Sequence, residues 1–159
     1  MEHLSLRNNP LGPNFSPHLF LPISLVSLNL AHTELNEVPP FKLPHLRSLQ
    51  LAGNSLGNIP EIALATLNLL ENLDLSNTSL AYLPQLALLP SIIHLDLSHN
   101  KLTHVDMEPL YSMTKLQVLV LSRNPLTSLQ STLPGIEYRP EMTLQTLDIS
   151  YTKFKVYNN

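Results

Sequence analysis

Residues 92–102 read Ile-Ile-His-Leu-Asp-Leu-Ser-His-Asn-Lys-Leu, and their form, L-x-x-L-x-L-x-x-N/T-x-L, occurs seven times along the 159 residues. The copies run Met1 to Leu11, Leu25 to Leu35, Leu46 to Leu56, Leu70 to Leu80, Ile92 to Leu102, Leu116 to Leu126 and Leu144 to Phe154. Self-similarity at a fixed period specifies stacked coils, each too small to bury its own apolar side. The L-x-L centres alternate apolar and polar, which is the period of a strand. One strand per coil predicts a parallel sheet of about seven short strands, ~4.8 Å apart and roughly 30 Å across.

The leucines that open the L-x-L centres are Leu4, Leu28, Leu49, Leu73, Leu95, Leu119 and Leu147, spaced by 24, 21, 24, 22, 24 and 28 residues. Long and short coils therefore alternate until the last step. The polar landmark follows the same rhythm: Asn9, Thr33, Asn54, Thr78, Asn100, Asn124 and Thr152, with Thr in both short internal coils. An amide offers donors and an acceptor to the main chain of the turn leaving each strand, and a hydroxyl does less of the same work. The agreement of landmark with length predicts two turn designs used in alternation. Prolines 39, 60 and 84 follow apolar residues in the descending segments, so long helices are not expected there. Single helical turns are expected over 61–67, with Pro60 leading in, and over 107–113, with Asp106 as cap.

The pattern resembles the leucine-rich repeat family over nearly the whole chain. Landmarks continuing through Ile59-Pro60, Leu64 and Leu67, and through Val105, Leu110 and Met113, are similar to the 24-residue coils of animal extracellular and receptor proteins. Val38-Pro39-Pro40-Phe41-Lys42-Leu43-Pro44 and Leu83-Pro84-Gln85-Leu86 resemble the compact proline-rich coil. The resemblance implies a strand-rich α/β solenoid: a right-handed superhelix with a concave parallel sheet and a mostly irregular or 3-10 convex side. It also implies a non-catalytic protein-binding module of the cell-surface or secreted kind. An intracellular scaffold or regulatory subunit is the alternative, and the absence of cysteine points to it.

Composition sets bounds. The chain is 43% hydrophobic and 13% charged, with net charge -3, and has the length of a single domain over residues 1–159, with repeats starting near 1, 25, 46, 70, 92, 116 and 144. No basic run exists, which disfavours nucleic acid, and no run of eighteen apolar residues predicts a membrane span. Met1 already fills an apolar repeat slot and Phe154 closes the last copy, so the chain reads as an incomplete fragment without caps. Such ends are expected to associate end to end, because exposed strand edges and apolar flanks invite pairing. The stretch from Gln130 to Thr143 reads as an inserted loop.

Residues flanking the leucine centres face the concave side. From them a protein-binding surface is expected over coils three to six, carried by Arg47, Gln50, Asn72, Asp74, His94, Asp96, His99 and Arg123. Asp74 and Asp96 should lie side by side, an arrangement suited to a basic partner. His94, Asp96 and Ser98 share a face, but alternate strand residues are ~6.6 Å apart, too far for a relay. The histidines are spaced too widely to share a zinc ion, and no cofactor is implied. Asn14 and Asn77 open two glycosylation sequons, Asn14-Phe15-Ser16 and Asn77-Thr78-Ser79.

Overall fold

A computed structural model describes residues 1–16, 21–86, 89–130 and 143–154. The inserted loop expected between Gln130 and Thr143 lies almost wholly outside the described residues. In chain order the elements are β1 (His3–Ser5), β2 (Ser27–Asn29), β3 (Ser48–Gln50), α1 (Glu61–Leu64), β4 (Asn72–Asp74), β5 (His94–Asp96), β6 (His104–Asp106), α2 (Glu108–Tyr111), β7 (Val118–Val120), β8 (Ser128–Gln130) and β9 (Thr146–Asp148). Seven strands form one sheet in the order β1-β2-β3-β4-β5-β7-β9, and each neighbouring pair is parallel.

The register is the one the repeat dictates. Leu4, Leu28, Leu49, Leu73, Leu95, Leu119 and Leu147 are successive partners across the sheet. From Leu28 to Leu119 these leucines are buried, whereas Leu4 is partly covered and Leu147 is 39% exposed. Leu30, Leu51, Leu75, Leu97 and Leu121 form a second buried row, and Leu35, Leu56, Leu80, Leu102 and Leu126 a third. Each leucine is covered by its equivalents above and below, so no coil holds a core alone. In the first short coil Phe41 fills the interior, and the Thr66 hydroxyl of the next coil donates to its carbonyl.

The alternation of coil lengths has a main-chain cause. Asn54 donates through Nδ2 to Leu51 O of its own coil and to Leu30 O of the short coil before it, each at 2.8 Å. Its Oδ1 accepts from Thr33 N at 3.0 Å and Leu35 N at 3.0 Å. Asn100 repeats this set on Leu97 O, Leu75 O, Thr78 N and Leu80 N. A threonine cannot reach back so far. Its hydroxyl closes the local turn instead, Thr33 on Leu30 O and Thr78 on Leu75 O, each at 2.7 Å. Where a threonine coil follows a long one, main chain replaces the amide: Leu11 N and Gly12 N donate to Thr33 O, and Gly57 N donates to Thr78 O. The turns differ accordingly. Left-handed Glu34 and Ser79 come directly after the threonines, while left-handed Gly12 and Gly57 come three residues after Asn9 and Asn54. Two turn designs are thus built, as the landmarks predict.

The descending side is mostly irregular, as expected, with one addition. A second, two-stranded parallel sheet, β6 with β8, stands where irregular or 3-10 structure is predicted. His104-Val105-Asp106 alternates outward, inward, outward, which is a strand pattern too short to read from sequence. The helical turns are shorter than expected, at 61–64 and 108–111. Met107 holds the cap position of the second, and Asp106, one residue earlier, accepts from Glu108 N through Oδ1 at 3.0 Å. No described helix is long and apolar enough to cross a membrane.

Candidate functional site

The concave face is built from two outward slots per strand. On β3, β4 and β5 these are Ser48 and Gln50, Asn72 and Asp74, and His94 and Asp96. With Leu49 and Leu73 as floor they line a shallow hollow of about 260 Å³. The structure therefore brings together five of the expected residues: Gln50, Asn72, Asp74, His94 and Asp96. The third slot of each strand, expected to project as well, is largely covered at Ala31, Ser98 and Ser122. These residues sit where the chain turns inward at the strand exit.

Asp74 and Asp96 are direct partners in register. Both carboxylates are also engaged by their own main chain. Asp74 Oδ1 accepts from Ser76 N at 2.9 Å and Asp96 Oδ1 from Ser98 N at 2.8 Å. Asn29 does the same for Ala31 N and Asp148 for Ser150 N, each at 2.9 Å. The Leu-Asp-Leu-Ser motif thus writes an Asx turn that starts the chain around the corner. At Asp148 the Ser150 N–H, aided by the Ser150 and Ser122 hydroxyls, holds the carboxyl below its ordinary pKa, against a smaller opposing push from burial. Turned toward Ser98 N, Asp96 serves the backbone rather than His94, which leaves His94, Asp96 and Ser98 without a relay.

The remaining expected residues lie off the hollow. Arg47 precedes β3 at the leading edge of the sheet, where it pairs with Glu71 in an exposed ion pair. Pairs of that kind contribute about 0–1 kcal/mol. His99 and Arg123 belong to the rim beyond the strand ends, in a slot that is left-handed in every coil: Asn8, His32, Gly53, Asn77, His99, Arg123 and Tyr151, with φ between 53° and 70°. There the Arg123 guanidinium sits 4.4 Å from the centre of the Tyr151 ring. Asn77 occupies the same rim slot and is exposed, as is Asn14 near the first coil. Of the ladder residues, Thr33, Asn54, Thr78, Asn100 and Asn124 are buried. Asn9 is exposed and bonds its own coil at Leu6 O and Arg7 O, and Thr152 is half-buried.

Val118 and Val120 are not among the site residues expected from the sequence. They interrupt the polar face on β7, with His94 and Asp96 on one side and Thr146 and Asp148 on the other. Their signal was present in the sequence: two outward slots holding β-branched apolar residues where neighbouring coils hold polar ones. The composite surface is a polar hollow with two carboxylates, an apolar strip, and a third carboxylate beyond it.

The model of the family described as leucine rich repeat matches residues 84–126, and a second of the same description matches residues 42–59. Human podocan-like protein 1 is 34% identical over 158 residues, covering 96% of this chain and 30% of that protein. Human lumican is 33% identical over 98% of this chain and 44% of its own length. Rabbit lumican is 32% identical over 98% of this chain and 78% of the rabbit protein. The chain thus spans less than half of both human relatives. Among solved structures, a chain from the Toll–Spätzle complex of Drosophila superposes with TM-score 0.81 at 24% identity, over 100% of this chain and 21% of that one.

Proposed function

The chain belongs to the leucine-rich repeat family, and from that premise we propose that its concave sheet docks a protein ligand in an extracellular setting. The observation that carries this reading is the hollow on β3, β4 and β5. Six polar side chains from three coils converge there without exhausting their hydrogen-bonding capacity on one another, and the apolar strip of Val118 and Val120 adjoins them. A polar hollow beside a small apolar patch is the composition of a protein-docking surface. Asp74, Asp96 and Asp148 give the face a negative character, which favours a partner with lysine or arginine at its docking patch and disfavours nucleic acid. The rim adds Arg123, stacked on Tyr151, and His99; Arg47 adds a charge at the leading edge.

The role is one of binding rather than catalysis, and it uses the coils as one domain. In that setting Asn77, and Asn14 less favourably, accept N-linked glycans; one on Asn77 would stand at the rim beside the hollow. A fold neighbour taken from an assembly of two proteins, Toll with Spätzle, supports the protein-binding reading. We further propose that the partly exposed Leu147 and the edge of β9 that no described strand covers are a flank for association with a second copy.

The test exploits the double duty of the aspartates. Asp74→Asn with Asp96→Asn keeps an oxygen for Ser76 N and Ser98 N while removing both charges. Proteins captured from conditioned medium and cell-surface extract by the wild-type chain should be lost, or bound at least about tenfold more weakly, by this variant. Full retention of every captured species, by a variant of unchanged thermal stability, overturns the reading.

A further inference from the structure

A second surface lies on the descending side, where coil four meets coil five. Its wall on coil four is Tyr82, Leu83, Pro84 and Gln85; its wall on coil five is His104, Asp106, Glu108, Pro109 and Ser112. The groove between them has a volume of about 570 Å³. Its origin is a mismatch of coil length. Coil four spends 22 residues on its circuit and coil five 24, and the groove lies where these descending segments of unequal length meet.

The other internal short coil builds the same feature. There Glu37, Val38, Pro39 and Pro40 face Pro60, Ile62 and Ala63, with Phe15 and Ser16 closing one side, around about 370 Å³. Counted from the threonine or asparagine landmark, Tyr82 matches Glu37, Pro84 matches Pro39, Asp106 matches Pro60, Glu108 matches Ile62 and Pro109 matches Ala63. One architectural position thus carries two chemistries, and the comparison isolates what is particular to the second groove.

Two things are. First, β6 borders it. That strand pairs with β8 on one side, and its other edge faces coil four. Among the described residues coil four forms no strand there, and Pro84 has no N–H to offer a ladder. In the first groove Pro60 replaces Asp106 and no strand forms. Second, the charged residues of the lining, Asp106 and Glu108, are both acidic, and the apolar wall is Tyr82 (75% exposed), Leu83, Pro84 and Pro109.

We propose that this groove binds an extended segment of a partner protein in which apolar and basic side chains alternate, laid along the open edge of β6. An added strand takes main-chain hydrogen bonds from the edge, and its side chains point alternately to opposite faces. One set then seats on Leu83, Pro84 and Pro109 while the other reaches Asp106 and Glu108. Tyr82 closes over the segment from coil four. This surface is separate from the concave hollow, and neither depends on the other.

The probe is the acetylated, amidated peptide Lys-Val-Lys-Val-Lys, titrated into isotope-labelled protein and followed by amide chemical shifts at low salt. Saturable shifts are expected at residues 82–85 and 104–112, and none with Glu-Val-Glu-Val-Glu. The double variant Asp106→Asn, Glu108→Gln keeps the oxygen that caps Glu108 N and should weaken binding at least about tenfold. Tyr82→Ala, at an exposed side chain, should weaken it several-fold with the fold intact. Equal response to the acidic peptide, shifts confined to residues 48–50, 72–74 and 94–96, unchanged affinity in the double variant, or no saturation by millimolar peptide would each overturn the proposal.

Discussion

The middle coils and the first coil carry the same landmark residue and use it differently. Asn54 and Asn100 are buried and tie two coils together through main-chain groups on both sides. Asn9 is exposed and touches its own coil alone. The direction of bonding explains the contrast, because each asparagine reaches back to the coil before it, and among the described residues no coil lies before that of Asn9. The same difference separates Leu95, fully buried, from Leu147, 39% exposed. A landmark's worth in a stacked fold is therefore set by its neighbours rather than by its identity.

The widest gap this contrast predicts is between Asn100→Ala and Asn9→Ala. The first strands Thr78 N and Leu80 N in a dry interior, while Leu75 O and Leu97 O each lose one donor and keep the Thr78 hydroxyl and Asn124 Nδ2 respectively. Each buried orphan costs about 1–3 kcal/mol, so a loss of about 2–6 kcal/mol is expected from the two. Asn9→Ala should cost under about 1 kcal/mol, since water can replace its contacts. Denaturant unfolding of both variants decides it, and equal losses would break the comparison. Thr78→Val against Thr152→Val repeats the test at smaller scale. Removing the Thr78 hydroxyl leaves Leu75 O with the Asn100 amide as its one side-chain donor and should cost about 1 kcal/mol; the half-buried Thr152 should cost about 0.5 kcal/mol or less.

What was legible in the sequence divides along the same line. The strands, their register and the ladder could be read because each is a main-chain demand met by one residue type at one slot. Asp74 and Asp96 could be placed side by side, but their Asx turns could not, because a carboxylate written for a backbone N–H looks the same as one written for a ligand. His99 and Arg123 were expected on the concave face. They stand on the rim because their slot is left-handed, and nothing in a histidine or an arginine announces that conformation. The strands β6 and β8 and the descending grooves depend on how two coils of unequal length lie together, which no single repeat encodes.

The rim slot offers a finer comparison, between the coil that meets its left-handed demand with glycine and those that do not. Gly53 has φ +70°, and a Cβ there would come within 2.2 Å of the His32 ring. Gly53→Ala should cost about 1–2 kcal/mol for the backbone alone, with the ring displaced besides. Arg123→Gly should come out near neutral. Relief of a similar strain is offset by losing a guanidinium–ring contact worth about 0.5–1 kcal/mol. Thermal melts of the two variants should thus differ in size for changes at equivalent positions. If Arg123→Gly proves the more damaging, the rim arginine contributes more than its contact with Tyr151 explains.

The smallest expected effect lies at Asp148, in the last described strand, where the Asx turn has an electrostatic signature. Its carboxyl is held below the ordinary value by the Ser150 N–H, so the folded state favours the charged form. The sign follows from linkage: a group whose pKa is lower folded than unfolded adds stability above its unfolded value, and that stability is lost as pH falls through the folded one. Asp148→Asn keeps an acceptor for Ser150 N but cannot titrate. At neutral pH the wild type should be slightly the more stable, and the two melting curves should converge on acidification through and below the carboxylate range. A difference that persists unchanged at low pH would mean that the aspartate acts by shape rather than by charge. Asparagine would then be an imperfect substitute in the Asx turns at Asp74 and Asp96 as well, so convergence of the two curves is the condition on which the asparagine test of the concave face relies.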